Sequence, residues 1–260
     1  LRNPLSAELD SLRPTMLFGL LAAAEHNIAR QQRDLRLFER GRTYENIKGL
    51  VKEHDRTGLL LTGRRQLERW RSDARPLDAL DVKAEVEALI ARMGLEGIDF
   101  DPVPHPLLHA AVEAEREGVV FAVFGQVKPE VAAAFGIRQP VFHAEFMDDA
   151  WLDALRAIKI IHAAVPRYPA VRRDLSMLLD EGVQFAQLKK LAFKAGGDLL
   201  RTVDLFDVYQ GDKLPRDKKS YALSFILQDP ERTLTDEVVD KAMGRIREAY
   251  EQEVGAELRG

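Results

Sequence analysis

The chain has 260 residues, 46% hydrophobic and 31% charged, enough to bury a sizeable core and, at about 150 residues per domain, to form one or two domains. Its 38 Lys and Arg against 42 Asp and Glu give a net charge of -4, which excludes a uniformly basic polyanion coat and leaves any nucleic-acid recognition to a local patch. Cysteine is absent and no apolar run approaches the ~18 residues of a membrane span, so disulfide frameworks, thiolate catalysis, Cys-ligated metals and a membrane partner are excluded and a cytoplasmic address is expected. The opening Leu1-Arg2-Asn3-Pro4 has neither an initiator Met nor a signal-peptide core, and reads as part of a longer chain.

In chain order, Pro14 suits a first helical turn, and Leu17, Leu20, Leu21, Ala24 and Ile28 recur at helical spacing up to Arg30. That apolar stripe is buried either in its own module or against a partner subunit. Residues 34–39 alternate charge with bulk and predict a strand closed by a turn at Gly41. A second helix is predicted over 78–93 from Val82, Val86, Leu89, Ile90 and Met93, ended by Gly94. Strands are predicted at 119–124 and 141–146, with a polar stretch around Lys128-Pro129 between them. Two prolines in Val165-Pro166-Arg167-Tyr168-Pro169 break regular structure and mark a domain boundary.

Beyond it, residues 174–180 alternate as a strand, and Phe185, Leu188, Ala192 and Ala195 form a helical stripe stopped by Gly196-Gly197. A second strand covers 200–210, a polar hairpin tip 213–218, and a third strand 220–228, ended by Asp229-Pro230. A final helix, capped by Thr233 and striped with Val239, Ala242, Met243, Ile246 and Tyr250, leads past Gly255 into a short last strand at 256–259. The order βαββαβ is the ferredoxin-like arrangement.

Strand side chains alternate between faces, so each strand is divisible into two sides. One side collects Leu175, Met177, Leu179, Phe206, Val208, Tyr221, Leu223, Phe225 and Leu227 and is expected beneath the helices. The other collects Ser176, Asp207, Tyr209, Ser220, Ala222 and Ser224, small or hydrogen-bonding groups around one aromatic ring. A sheet with helices on one side and such a face on the other is the form in which RNA-recognition folds stack a base on a ring and read its edge with polar neighbours. Arg167, Arg172, Lys213, Arg216, Lys218 and Lys219 are expected at the rim, where phosphates run. An ordinary solvated face gives the same set, and Lys and Arg at a hairpin tip also keep a sheet edge soluble, so from pattern alone both readings stand. Residues 166–260 hold 16 Lys and Arg against 17 Asp and Glu, so the signal is geometric and not compositional.

Other chemistry finds little footing. His105 and His109 have the helical spacing of a metal pair, but prolines 102, 104 and 106 argue against a helix and no third ligand is near in sequence. No nucleophile elbow, phosphate-cradling loop or dinucleotide fingerprint occurs. Arg36 and Glu39 read as an exposed strand face rather than a nucleotide clamp, and Asp148-Asp149 and Asp180-Glu181 as solvated turns or caps.

Particular motifs carry a resemblance along the whole chain. Tyr168-Pro169-Ala170-Val171-Arg172-Arg173-Asp174-Leu175, Leu205-Phe206-Asp207-Val208-Tyr209-Gln210-Gly211, Lys219-Ser220 and Asp229-Pro230-Glu231-Arg232-Thr233-Leu234-Thr235-Asp236 resemble the ferredoxin-fold anticodon-binding domain of bacterial phenylalanine-tRNA ligase beta subunits. Leu1-Arg2-Asn3-Pro4-Leu5-Ser6, Leu12-Arg13-Pro14-Thr15 and Asp34-Leu35-Arg36-Leu37-Phe38-Glu39 before Gly41 resemble the catalytic-like module of the same subunit.

The resemblance implies an α+β chain: a non-catalytic, class II synthetase-like antiparallel-sheet module over residues 1–165, then a ferredoxin-like anticodon-binding domain over 166–260. It implies that Ser176, Asp207, Tyr209 and Ser220 touch the anticodon of a phenylalanine tRNA, all four lying on the polar face that periodicity selects; Ser176 and Tyr168 depart from relatives, which often carry Ala and Phe there. The implied partners are the alpha subunit, with which the family forms a doubled αβ heterodimer, and the tRNA. ATP and magnesium serve the whole enzyme, with no cofactor, metal or catalytic residue in this piece, since nothing between Leu95 and Val165 matches the Gly-rich, Glu-Arg third signature motif of class II active sites. Editing and magnesium-associated domains lie upstream in the family. A rival reading makes the ferredoxin-like domain a small-molecule sensor regulating a larger enzyme.

Overall fold

The computed structural model describes residues 11–72, 74–158, 165–212 and 214–259, with Arg259 as backbone only. The chain divides into two compact units, Leu1–Ile160 and Ile161–Gly260. The motif at residues 1–6 and Lys213 lie outside the described residues. Among those residues no helix is long and apolar enough to cross a membrane.

The first unit is built on a six-stranded antiparallel sheet. Its elements run α1 (Leu17–Ile28), β1 (Leu35–Ile47), β2 (Leu50–Thr62), α2 (Ala79–Arg92), β3 (Asp99–Pro102), β4 (Leu108–Arg116), β5 (Val119–Val127), α3 (Pro129–Ala134), β6 (Val141–Met147) and α4 (Asp148–Ala157). The strand order is β1-β2-β6-β5-β4-β3. Successive residues of a strand face opposite ways, so Leu60 joins one core and Leu61 the other. In the first core Leu17, Leu20, Leu21 and Ala24 of α1 meet Ala132 and Val141. In the second, Val82, Val86 and Ile90 of α2 meet Phe121, Phe142, Phe146 and Trp151. The stripe of α1 is thus buried within its own unit.

The predicted helix 78–93 forms with Asp78 as N-cap and a reciprocal Asp78–Asp81 capping box. The predicted end of the first strand at Gly41 is corrected, because β1 continues to Ile47 and turns back at Lys48-Gly49. Gly41 marks a close approach: a Cβ there would lie 2.1 Å from Nη2 of Arg13, which binds Glu39 at 2.6 Å and donates to the Arg42 carbonyl at 2.7 Å. The Lys128-Pro129 stretch opens the short helix α3, Pro129 taking a first-turn position where a missing N–H costs nothing. Asp148 and Asp149, expected in a turn, form the first turn of α4; Asp148 accepts from Arg40 Nε at 2.9 Å and Thr57 Oγ1 at 3.1 Å. His109 lies in β4 and His105 in the preceding loop, so helical spacing does not relate them.

The second unit runs β7 (Val171–Asp180), α5 (Phe185–Gly196), a 3-10 turn (Gly197–Leu199), β8 (Leu200–Tyr209), β9 (Lys218–Leu227), α6 (Asp236–Val254) and β10 (Glu257–Arg259). The sheet order β10-β7-β9-β8 with antiparallel pairs is the ferredoxin-like topology. Helices α5 and α6 cover one face, where Leu188, Ala192, Val239, Met243, Ile246 and Tyr250 close on Leu175, Met177, Leu179, Leu223, Phe225 and Leu227. The buried Tyr250 hydroxyl donates to the Leu188 carbonyl at 3.0 Å, and burial pushes its pKa up. Thr235, not Thr233, is the N-cap residue of α6.

Candidate nucleic-acid interface

The second sheet leaves its other face open, and the pairing register says who stands on it. Tyr209 lies opposite Ser220, which lies opposite Leu178 and then Glu257. In the adjacent row Asp207 lies opposite Ala222, then Ser176, then Arg259. Paired residues of antiparallel strands point the same way, so Ser176, Asp207, Tyr209 and Ser220 fall on two neighbouring rows of one face. Asp207 and Tyr209 are exposed, Ser176 and Ser220 half-buried.

The division of β8 into two sides needs correction. Leu205 pairs with Leu223 and Asp207 with Ala222, so Phe206 is an inserted residue without a partner, a β-bulge that resets the alternation. Phe206, expected under the helices, is 54% exposed and lies beneath the Arg172 guanidinium, 5.5 Å from its ring centre. Val208 is on the side of Tyr221 by register yet half exposed, and the inward positions of β8 are held by Leu200, Val203 and Leu205. Ser224 keeps its place on the open side but is buried.

The rim also differs from expectation. Lys219 is 7% exposed on the helix side of the sheet, its ammonium 4.7 Å from the Tyr221 ring centre, because its register partner is the buried Leu179. It is not a rim residue. Lys218 faces outward with Nζ 3.0 Å from Asp180 and 3.2 Å from Glu257, and its hydrogen bonds to these carboxylates raise its pKa. Arg172 is held by Asp174 through contacts of 2.8 and 3.3 Å, and hydrogen bonding to that carboxylate raises its pKa. Arg167 and Arg216 are exposed.

Gly211 sets the resting position of the Tyr209 ring. A Cβ added there would lie 2.7 Å from the Tyr209 hydroxyl oxygen and 2.8 Å from the adjoining ring carbon. Both residues stand at the surface, so Gly211→Ala is expected to displace the ring without loosening the core. Its expected result is unchanged thermal unfolding with an affinity for a phenylalanine-tRNA anticodon stem-loop lowered by about 5-fold, the low end of a lost base stack; equal affinity would show that the ring needs no such seat.

The first unit holds a cavity of about 380 Å³ lined by Thr15, Leu17, Phe18, His105, Val123, His143 and Glu145 among others. Its polar groups largely serve the fold. Glu145 accepts from Thr15 Oγ1 and, at 2.9 Å, from the Met16 N–H, and so caps α1 together with Thr15, whose Oγ1 accepts from the Leu17 N–H at 3.1 Å. Burial alone would raise the Glu145 pKa, but the neighbouring His143 imidazole and hydrogen bonds from Thr15 and the Met16 N–H hold it below the usual carboxylate value. His143 Nδ1 lies 2.9 Å from the Leu59 carbonyl and its Nε2 is 3.6 Å from Glu145. His105 Nδ1 accepts from the Leu107 and Leu108 N–H groups, and burial keeps its pKa low.

These donors do not suit an ATP–magnesium site. Among the described residues no three His, Asp or Glu side chains are grouped to hold a metal ion. The arginines of β1 are engaged by the protein itself: Arg36 donates to the Arg64 and Arg65 carbonyls, Arg40 binds Asp148 and Arg42 binds Glu53.

Fold and site together define a class: a two-unit α+β chain whose ferredoxin-like sheet presents an open face of aromatic and hydrogen-bonding side chains. Two family profiles divide the chain between them, one described as "Phenylalanyl tRNA synthetase beta chain CLM domain" over residues 1–147 and one as "Ferredoxin-fold anticodon binding domain" over 166–259. The chain belongs to the phenylalanyl tRNA synthetase beta chain family. Similar curated proteins are the "Phenylalanine--tRNA ligase beta subunit" of Porphyromonas gingivalis at 39% identity, of Bacteroides thetaiotaomicron at 35% and of Methylococcus capsulatus at 36%. Each alignment covers 100% of this chain and 33% of the relative, so the chain spans about a third of their length.

Proposed function

We propose that this chain serves as the anticodon-binding part of a phenylalanine-tRNA ligase beta subunit. In this reading residues 166–260 bind the anticodon of a phenylalanine tRNA, and residues 1–165 form a non-catalytic, class II synthetase-like module that packs against the alpha subunit. The alpha subunit carries the ATP- and magnesium-dependent attachment of phenylalanine, in the cytoplasm. One observation carries the reading most: Ser176, Asp207, Tyr209 and Ser220, the family's anticodon contacts by motif, occupy two neighbouring rows of the sheet face opposite α5 and α6.

The chemistry follows from those groups. A ring at Tyr209 offers a base its π-face, which every base accepts. Edge recognition then falls to Asp207, which accepts from amino or imino groups, and to the hydroxyls of Ser176 and Ser220, which both donate and accept. The hairpin of β1 and β2 supports the packing role, since it exposes Phe38, Ile47, Leu50 and Val51, apolar side chains suited to burial by a partner.

Salt dependence tests the rim. Each phosphate contact on a single strand contributes about 0.7 to the slope of log affinity against log salt. With an anticodon stem-loop as ligand, Arg216→Ala and Arg167→Ala are expected to lower the slope by about that much each. Lys219→Met, which keeps the buried stem, is expected to leave it unchanged. A slope that moves for Lys219 and not for the two arginines would place the phosphates elsewhere.

A further inference from the structure

We infer that Phe206 and Arg172 form a second stacking platform on the open sheet face, for an RNA base other than the one carried by Tyr209. The inference rests on the anticodon-binding reading above and adds to it a site that strand alternation hides. The bulge between Leu205 and Asp207 turns Phe206 onto the open face, three residues from Tyr209 on the same strand. A bulge that puts a large apolar ring into solvent gains nothing for the core, because Leu205 and Val203 already fill the inward positions of β8.

The partner of that ring is fixed in advance. Arg172, on β7, reaches across β9 and lays its guanidinium 5.5 Å from the Phe206 ring centre, while two contacts to Asp174 hold the planar group in place. Both side chains stay more than half exposed. A guanidinium plane and an aromatic ring are the two surfaces on which unpaired bases stack, and open sheets of RNA-binding folds seat two or three bases on separate side chains. With its charge engaged by Asp174, Arg172 offers a flat surface rather than a phosphate contact. This departs from its expected place among the backbone-binding residues.

The test uses the full chain and a phenylalanine-tRNA anticodon stem-loop carrying a fluorescent base analogue at each anticodon position in turn. Two positions are expected to change fluorescence on binding. Phe206→Leu keeps the apolar bulk, removes the ring and is expected to abolish the change at one position, lower affinity by about 5-fold and leave the other position responsive. Tyr209→Leu is expected to do the reverse. Arg172→Ala is expected to weaken binding with the salt slope unchanged. Unfolding curves of the variants establish that they are folded. If Phe206→Leu binds as well as the parent while Tyr209→Leu is impaired, the second platform is overturned and the anticodon reading survives. If neither variant is impaired, both fall.

Discussion

Replacing Tyr209 by Ala is expected to weaken binding of a phenylalanine-tRNA anticodon stem-loop by about 1 to 3 kcal/mol, a loss of about 5- to 150-fold in affinity. The ring is 42% exposed at the end of β8, rests against Gly211, and lies on the sheet face opposite α5 and α6. A structural role would show as lost stability, yet an aromatic ring left this open buries too little area to matter much to the fold. Tyr209→Phe separates stacking from hydrogen bonding, since it keeps the π-face and removes the hydroxyl. Retained affinity in Phe with loss in Ala is the expected pattern, measured by fluorescence anisotropy at fixed salt. Equal affinity of the parent and Tyr209→Ala would remove Tyr209 from the interface.

The second large effect is expected at Glu145, in the first unit. Removing one partner of a buried ionic cluster costs about 3 kcal/mol or more, because what remains is left uncompensated. Glu145→Ala removes one of the two side chains that cap the α1 N-terminus, the other being Thr15, whose Oγ1 accepts from the Leu17 N–H at 3.1 Å, and it leaves Arg56, 15% exposed and 4.0 Å away, without that carboxylate. Both tryptophans, Trp70 and Trp151, belong to the first unit, so tryptophan fluorescence during urea unfolding follows that unit separately from the second. A midpoint shift worth about 3 kcal/mol is expected, and a change within about 0.5 kcal/mol, the range of ordinary surface substitutions, would contradict the assigned role.

The acid side gives the same group a sign. Glu145 has a folded-state pKa below its ordinary 4.5, so it takes up protons more readily when unfolded. Its contribution is therefore complete above the unfolded value and is lost as pH falls through the folded one. Glu145→Gln, which cannot titrate, should lie furthest below the parent in stability near neutral pH and converge on it in acid.

Helices were the most legible part of the sequence. The stripes of α1, α2, α5 and α6 show the 3.6-residue period that one-sided burial imposes, and Asp78 announces its helix as a capping residue. The ferredoxin-like order was readable because each of its long strands is bounded by turn chemistry. Less visible were β2, with its run Lys52-Glu53-His54-Asp55-Arg56, and the passage of β1 through Gly41. In the first case charged residues lie on a long hairpin that extends beyond the core; in the second the glycine serves a close approach by Arg13, not a turn.

The site was legible to the extent that alternation holds. Ser176, Asp207, Tyr209 and Ser220 follow the pleat, so alternation alone puts them on one face; Phe206 breaks it by one inserted residue, and a bulge leaves no mark on composition. Lys219 misled for a related reason. Its charge suggested the rim, but its register faces the helices, where the Tyr221 ring receives its ammonium. Gly211 could be read only as part of a motif, since its role depends on where the Tyr209 ring lies.

Chemical-shift mapping of the full, isotopically labelled chain on titration with a phenylalanine-tRNA anticodon stem-loop tests directly whether the open sheet face binds the anticodon. Perturbations concentrated at Ser176, Phe206, Asp207, Tyr209 and Ser220 on the open face are expected, with the buried sides of α5 and α6 silent. Saturable binding that perturbs those helices or the first unit and leaves the open face unchanged would contradict anticodon binding at that face.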